Sequence, residues 1–295
     1  MARFGAVLTA MVTPFDDDGR LDVDGAVVLA RWLVDHGNDG LVVAGTTGEA
    51  PTLSDAEKLD LWKAVAEAVT VPVVAGTGTN DTLHTIKLTA KAEDVGAAGV
   101  LIVTPYYNRP SQAGLDAHFR AAAGATSLPV LIYDIPIRTG RKIAHDVLVG
   151  LGRHVTNVVG IKDAAMDVAA TARLVADAGA TLEIYSGNDD QTLPLLAVGA
   201  VGTVGVATHW CAPQVGEMIA AFEKGDGVGA REINAGLLPS YGFETSDAAP
   251  NPVPTKCALR LLGLPAGRCR QPMGPEPDGL EDQARAVLTG LGLLS

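Results

Sequence analysis

Eight short runs of valine, isoleucine and leucine constrain this chain more than any other feature. Each is bounded by glycine or proline and followed by a longer, alanine-rich stretch of helical period. The runs fall at residues 6–12, 40–44, 71–75, 99–103, 130–133, 158–161, 182–185 and 201–206. Near-continuous apolar runs, rather than strict alternation, mark strands covered on both faces, as in parallel sheets joined by crossover helices. Eight such units within about 225 residues predict an α/β fold, a closed (β/α)8 TIM barrel with appended C-terminal helices. On this reading residues 1–225 form the catalytic barrel and residues 226–295 a C-terminal helical extension. An open doubly wound sheet is the alternative, but no G-x-G-x-x-G follows the first strand.

Helix starts are legible at three places. Ser54 with Glu57 three residues on forms a capping box, and Asn80 and Ser111 are predicted as N-caps. The eighth helix is placed at residues 213–222, ending near Gly225. Residues 249–254, containing Asn251-Pro252-Val253-Pro254, must be extended or turned, because each proline fixes its own φ and restricts the residue before it. They read as a strap between C-terminal helices.

With 47% apolar residues in 295, the chain can bury one large core. Asp and Glu (34) outnumber Lys and Arg (22), and the formal charge of -12 repels polyphosphate backbones and anionic lipid. Neither nucleic acid nor a membrane is therefore expected as a partner. No apolar stretch reaches the ~18 residues that span a bilayer. Residues 4–12 imitate a signal-peptide core but run into Pro14 and the acidic Asp16, Asp17 and Asp18. Cys211, Cys257 and Cys269 are odd in number and form no C-x-x-C, which fits a reducing cytoplasm.

Barrels carry their chemistry at the C-terminal ends of strands, so polar residues closing an apolar run are the candidates. Lys162 closes residues 158–161, and strict alternation places Val158, Gly160 and Lys162 on one face, Val159 and Ile161 on the other. If Val159 and Ile161 pack against outer helices, Lys162 enters the barrel mouth, with Gly160 leaving room beneath its stem. Desolvation there disfavours the ammonium and yields a nucleophilic amine, the group that forms imines with ketones. Equally, a lysine at a strand end can extend its amine into solvent.

Tyr133 closes the adjacent strand and is either a proton carrier beside that amine or an aromatic lining the mouth. Thr46 and Thr47, between Gly45 and Gly48, offer hydroxyls and N–H groups to a small carboxylate, although turns use such residues freely. Arg138 either presents its planar fork to a second carboxylate or is a surface arginine beside Arg141 and Lys142. The acidity of Gly187-Asn188-Asp189-Asp190 argues against a phosphorylated substrate. The six histidines show no H-E-x-x-H or comparable spacing, so no metal is expected, and there is no P-loop or G-x-S-x-G. Asn80-Asp81-Thr82 is formally a glycosylation sequon but reads better as a helix start.

Taken together, Gly45-Thr46-Thr47-Gly48-Glu49, Pro105-Tyr106-Tyr107-Asn108, the stretch from Tyr133-Asp134-Ile135-Pro136 to Arg138-Thr139-Gly140, and Gly160-Ile161-Lys162-Asp163 resemble the pyruvate-dependent aldolase superfamily. Within it they resemble the dihydrodipicolinate synthase family, and Ser186-Gly187-Asn188-Asp189 and Asn251-Pro252-Val253-Pro254-Thr255-Lys256 are similar to that family's later motifs. The resemblance covers nearly the whole chain. It implies a Schiff-base lyase that condenses pyruvate with L-aspartate 4-semialdehyde on the way to diaminopimelate and lysine, without a cofactor.

By position, Lys162 would form the imine, Thr47 and the N–H groups of Thr46 and Thr47 would hold the pyruvate carboxylate, and Arg138 the carboxylate of the semialdehyde. Tyr133, Thr46 and Tyr107 resemble the family's proton relay, Tyr107 reaching in from a neighbouring subunit, and the backbone around Gly187 and Val204 would line the pocket. A homotetramer, a dimer of dimers, is the form implied.

One departure stands out. Lysine-inhibited members carry a serine and histidines after the Gly-Thr-Thr-Gly-Glu motif and a glutamate at the next helix start. Here the matching places hold Ala50, Asp55, Lys58 and His84, while Asn80 and Tyr106 remain, so weak or absent inhibition by lysine is expected. A sugar-acid lyase of the N-acetylneuraminate or 2-keto-3-deoxygluconate type is the alternative activity, and a non-catalytic barrel a third reading. Arg138 favours the carboxylate-bearing aldehyde over a sugar, which needs hydroxyl-binding groups at that place.

Overall fold

A computed structural model describes residues 2–294. Among these, eight parallel strands close in chain order into a barrel. They are β1 (Val7–Ala10), β2 (Gly40–Val43), β3 (Val73–Gly76), β4 (Gly99–Val103), β5 (Val130–Asp134), β6 (Val158–Asp163), β7 (Glu183–Ser186) and β8 (Gly202–Gly205). The ring shuts where Val7 of β1 lies opposite Thr203 of β8. Outside it run α1 (Val23–Asp35), α2 (Asp55–Ala68), α3 (Thr82–Ala92), α4 (Gln112–Ala123), a short α5 (Pro136–Thr139), α6 (His145–His154), α7 (Val168–Ala178), a short α8 (Thr192–Leu196) and α9 (Thr208–Glu223). Three further helices follow: α10 (Gly227–Phe243), α11 (Val253–Leu261) and α12 (Leu280–Gly290). The (β/α)8 barrel with C-terminal helices expected from the sequence is the architecture found.

The double burial that made the strands legible is visible in the packing. Leu8, Val42, Val74, Leu101, Leu131 and Val204 fill the barrel interior, while Val43, Ala75, Ile102, Ile132 and Ile184 face the helices. A third apolar cluster joins α9 to the C-terminal helices through Trp210, Met218, Leu237, Cys257 and Leu288. Trp210 and Phe243 meet edge to face there, with ring centroids 6.0 Å apart.

Four expectations need correction. Simple alternation fails on β6, because Val130 pairs with Val158 but Leu131 with Gly160, leaving Val159 as a bulge. Val158 therefore packs outward with Ile161, and Val159 turns towards the barrel interior. Beyond the bulge the expected pattern holds, with Ile161 outward and Lys162 in the barrel mouth. Gly160 is required where it stands: a Cβ would lie 2.5 Å from the Glu183 carbonyl oxygen and 2.9 Å from Leu131 Cδ2.

The capping box of α2 forms as predicted, Ser54 accepting from the Glu57 N–H at 3.3 Å and donating its own N–H to Glu57 Oε2 at 2.8 Å. Ser111 likewise caps α4. The cap of α3, however, is Asp81, which accepts from the Leu83 N–H, and not Asn80. Asn80 instead offers its carbonyl to Asn108 Nδ2 at 2.8 Å. The eighth helix begins at Thr208, five residues before the predicted start, and absorbs Pro213 by leaving helical geometry at Cys211. Of the predicted strap, Val253 and Pro254 belong to the first turn of α11, where a missing proline N–H costs nothing.

Candidate active site

The end of β6 sets Lys162 between two tyrosines: it pairs with Tyr133 on β5 and Tyr185 on β7. Its side chain is only 4% exposed and its Nζ lies 4.5 Å from the centroid of the Tyr133 ring. Burial brings the amine down to about 8, with the Arg138 charge helping and Asp189 and Glu244 opposing. A substantial fraction of neutral amine is thus present near physiological pH, which decides the sequence-level ambiguity against a solvated lysine. Burial also pushes the Tyr133 hydroxyl up to about 12, while the Arg138 charge and a hydrogen bond with the Thr46 side chain pull the other way. Tyr133 is therefore protonated at neutral pH and able to donate.

A cavity of about 350 Å³ opens beside Tyr133. Gly45, Thr46, Tyr133, Arg138, Lys58, Asn80, His84 and Tyr106 are among the residues that line it, and Lys162 is not. Arg138 reaches it because β5 runs straight into the short α5, which turns the chain back over the mouth. In the loop after β2, the Glu49 and Ala50 N–H groups close onto the Thr46 and Gly45 carbonyls. The N–H groups of Thr46 and Thr47 have no acceptor among the described residues. They are free for an anion, the arrangement a small carboxylate requires. Thr47 is buried, and its hydroxyl accepts a hydrogen bond from Asn251.

Of the remaining candidates, two lie close to the lysine and one does not. Gly187 packs under the lysine, where a Cβ would stand 3.1 Å from Lys162 Cγ, and its N–H donates to the Asp163 carbonyl. Val204 belongs to the apolar layer inside the barrel with Tyr133 and Tyr185. Tyr107 does not enter this chain's own cavity: it is 90% exposed, at a left-handed φ of 74°. Among the described residues no group of three or more His, Cys, Asp or Glu is placed to hold a metal ion.

The sequence profile of the dihydrodipicolinate synthetase family matches residues 3–290. The chain belongs to this family. Among curated relatives, 4-hydroxy-tetrahydrodipicolinate synthase of Acidothermus cellulolyticus is 54% identical over 275 residues, covering 92% of this chain and 87% of the relative. A crystal structure of dihydrodipicolinate synthase from Bacillus anthracis superposes with a TM-score of 0.94 at 41% identity, covering 98% of this chain and 99% of that one. The Cyanidioschyzon merolae enzyme, crystallised with lysine bound, gives a TM-score of 0.96 at 39% identity, with 99% of each chain covered.

Two features of this member of the dihydrodipicolinate synthetase family escape sequence reasoning. One is a pair of buried carboxyls beside Lys162. Asp189 Oδ2 accepts the Val206 N–H at 2.8 Å, and its side chain lies beside that of Glu244, just past α10. Burial raises both carboxyls, and the Asp189 charge raises Glu244 further. A Cβ at Gly205 would lie 2.4 Å from Asp189 Oδ1, so the pair fits only over glycine. The Ser186-Gly187-Asn188-Asp189 motif pointed at Asp189; nothing local marked Glu244.

The other is the clamp on the loop after β2. Lys256, wholly buried on α11, sets its Nζ 2.7 Å from Glu49 Oε1, donates to the Arg268 carbonyl at 3.1 Å and lies over the Phe15 ring. Glu49 sits at a left-handed φ of 55°, and its Oε2 accepts the Arg270 N–H at 2.8 Å. The C-terminal segment thus fixes the end of the turn that presents the threonines. Lys256→Met is expected to cost about 3–5 kcal/mol, since Glu49 is left buried without its counter-charge. Denaturant unfolding measures this, and a loss below about 1 kcal/mol would show the pair to be dispensable.

Proposed function

We infer that this chain is a lyase that condenses pyruvate with L-aspartate 4-semialdehyde to 4-hydroxy-tetrahydrodipicolinate, in diaminopimelate and lysine biosynthesis. The observation that carries the reading is the buried Lys162 amine, lowered to about 8 and set against the Tyr133 ring. The amine attacks the pyruvate ketone and expels water. The resulting iminium accepts the electrons released when the methyl group loses a proton, and the enamine so formed attacks the aldehyde. Protons move at several of these steps, which is the work assigned to Tyr133 and Thr46. Thr47 and the free N–H groups of Thr46 and Thr47 receive the pyruvate carboxylate; Gly187 and Val204 shape the pocket around it.

Arg138 lines the same cavity and is assigned to the carboxylate of the semialdehyde. Arg138→Ala is expected to raise KM for the semialdehyde by about 10- to 100-fold with little change in KM for pyruvate, as loss of a charge-assisted pair predicts. Unchanged semialdehyde kinetics would remove the ground for preferring this substrate over a sugar acid. A coupled assay with pyruvate and aspartate semialdehyde, run beside cleavage of N-acetylneuraminate and 2-keto-3-deoxygluconate, tests the assignment directly.

Tyr107 is proposed to complete the relay of a partner subunit, in a homotetramer built as a dimer of dimers; its exposure and its place outside the lining of its own cavity support this. The barrel of residues 1–225 is proposed as the catalytic unit and residues 226–295 as its extension. A cytoplasmic location is proposed, supported by three free thiols, two of them buried. No helix among the described residues is long and apolar enough to cross a membrane.

Weak or absent inhibition by lysine is proposed as well. Lys58 and His84 line the cavity, and His84 is paired with Asp55 at 2.8 Å. A second ammonium would enter beside a lysine already partly desolvated, with unfavourable charge and little hydration to compensate. A lysine series is expected to leave the rate unchanged below millimolar concentrations; sub-millimolar inhibition would overturn this.

A further inference from the structure

The C-terminal segment reaches the substrate loop at a second point besides Lys256. Asn251, almost wholly buried between α10 and α11, directs its side-chain Nδ2 at Thr47 Oγ1, 3.0 Å away. On its other side Thr255 Oγ1 donates to Asn251 Oδ1 at 3.4 Å, and the Asn251 backbone N–H donates to Thr245 Oγ1 at 3.2 Å. Asn251 and Lys256 thus hold two residues of one turn, Thr47 and Glu49, from a single short stretch of chain.

The chemistry of this contact is directional. An amide NH2 can only donate, so the Thr47 oxygen must accept, and the hydroxyl proton is then committed to some other acceptor. On the reading that Thr47 binds the pyruvate carboxylate, that acceptor is the substrate. We propose that Asn251 is a positioning residue for pyruvate: it occupies the Thr47 lone pair and thereby turns the Thr47 proton towards the substrate carboxylate. A carboxylate at position 251 would do the reverse. It has no proton to give, would capture that of Thr47, and would add a negative charge close to an anionic substrate.

The proposal rests on the assignment of Thr47, and the test separates the two. Steady-state kinetics are measured for Thr47→Val, Asn251→Ala, the double variant and Asn251→Asp, with thermal unfolding of each. Asn251→Ala is expected to raise KM for pyruvate about tenfold while KM for the semialdehyde stays within about twofold, as loss of one hydrogen bond to a charged ligand implies. The double variant should bind pyruvate no worse than Thr47→Val alone. Asn251→Asp, although isosteric, should be worse than Asn251→Ala by roughly tenfold in kcat/KM for pyruvate. A merely structural asparagine would order these two the other way, and the isosteric variant keeps the test open if the alanine variant does not fold. Additive effects in the double variant, or an aspartate as good as asparagine, overturn the role of Asn251 while leaving that of Thr47. An unchanged pyruvate KM in Thr47→Val overturns both.

Discussion

Sodium borohydride added with pyruvate is expected to attach one reduced pyruvyl unit to the chain at Lys162, and Lys162→Ala is expected to lose both the label and roughly 10⁴-fold or more in kcat/KM. The competing amines make this a sharp measurement. Lys58 lines the cavity beside Tyr133 and Lys256 is wholly buried, and both are lowered by desolvation. Only Lys162, however, combines a lowered amine with a place at the end of a barrel strand over a tyrosine ring. Peptide mapping that found the label on Lys58, or on no residue, would sink the imine reading. Lys162→Arg should be as inactive as the alanine variant, because a guanidinium stays charged and cannot attack.

The same amine sets a pH dependence. Only the neutral form attacks, and burial has moved the transition from the ordinary lysine value of about 10.5 down to about 8. Below pH 8, kcat/KM for pyruvate should fall about tenfold per pH unit, levelling off above it. Replacing Asp189 by asparagine keeps an acceptor for the Val206 N–H but removes negative charge that now favours the ammonium. It should move this acid limb further down in pH.

How much of this was legible in sequence follows from the range over which each cause acts. The strands stood out because burial on both faces leaves an apolar run that needs no partner to recognise, Lys162 and Tyr133 stood out as polar residues closing such runs, and Thr46 and Arg138 as polar residues in the loops that follow them. The bulge at Val159 left no comparable mark, since it exists only in the register between β5 and β6. Asn80 and Asp81 are chemically equivalent caps, and their order was decided by the loop across the cavity, through Asn108. Glu244, Asn251 and Lys256 were unreadable as site residues for the same reason. Their partners Asp189, Thr47 and Glu49 lie far away in sequence, 204 residues for Asn251 and Thr47, and only the closed barrel brings them together.

Tyr133→Phe is expected to lower kcat by about 10²- to 10⁴-fold, the range for removing a positioned proton carrier. The ring is buried in the barrel interior, so phenylalanine preserves its packing, and the cost in stability should stay near the ~1 kcal/mol of one hydrogen bond. That separation is what gives the variant its force. A hydroxyl held at about 12 keeps its proton throughout the working pH range, so it serves as a donor first and as a base only when Thr46 can take up what it receives. Thr46→Val should therefore share the defect in kcat, and the two losses should not add, since a relay broken at either member is broken. Borohydride should still label Lys162 in Tyr133→Phe, only more slowly, because the amine remains while the proton traffic that makes and breaks the imine is impaired. A phenylalanine variant with near-native kcat would leave Tyr133 as packing alone and move the proton chemistry to the carboxyl pair of Asp189 and Glu244, the remaining titratable groups that face the lysine.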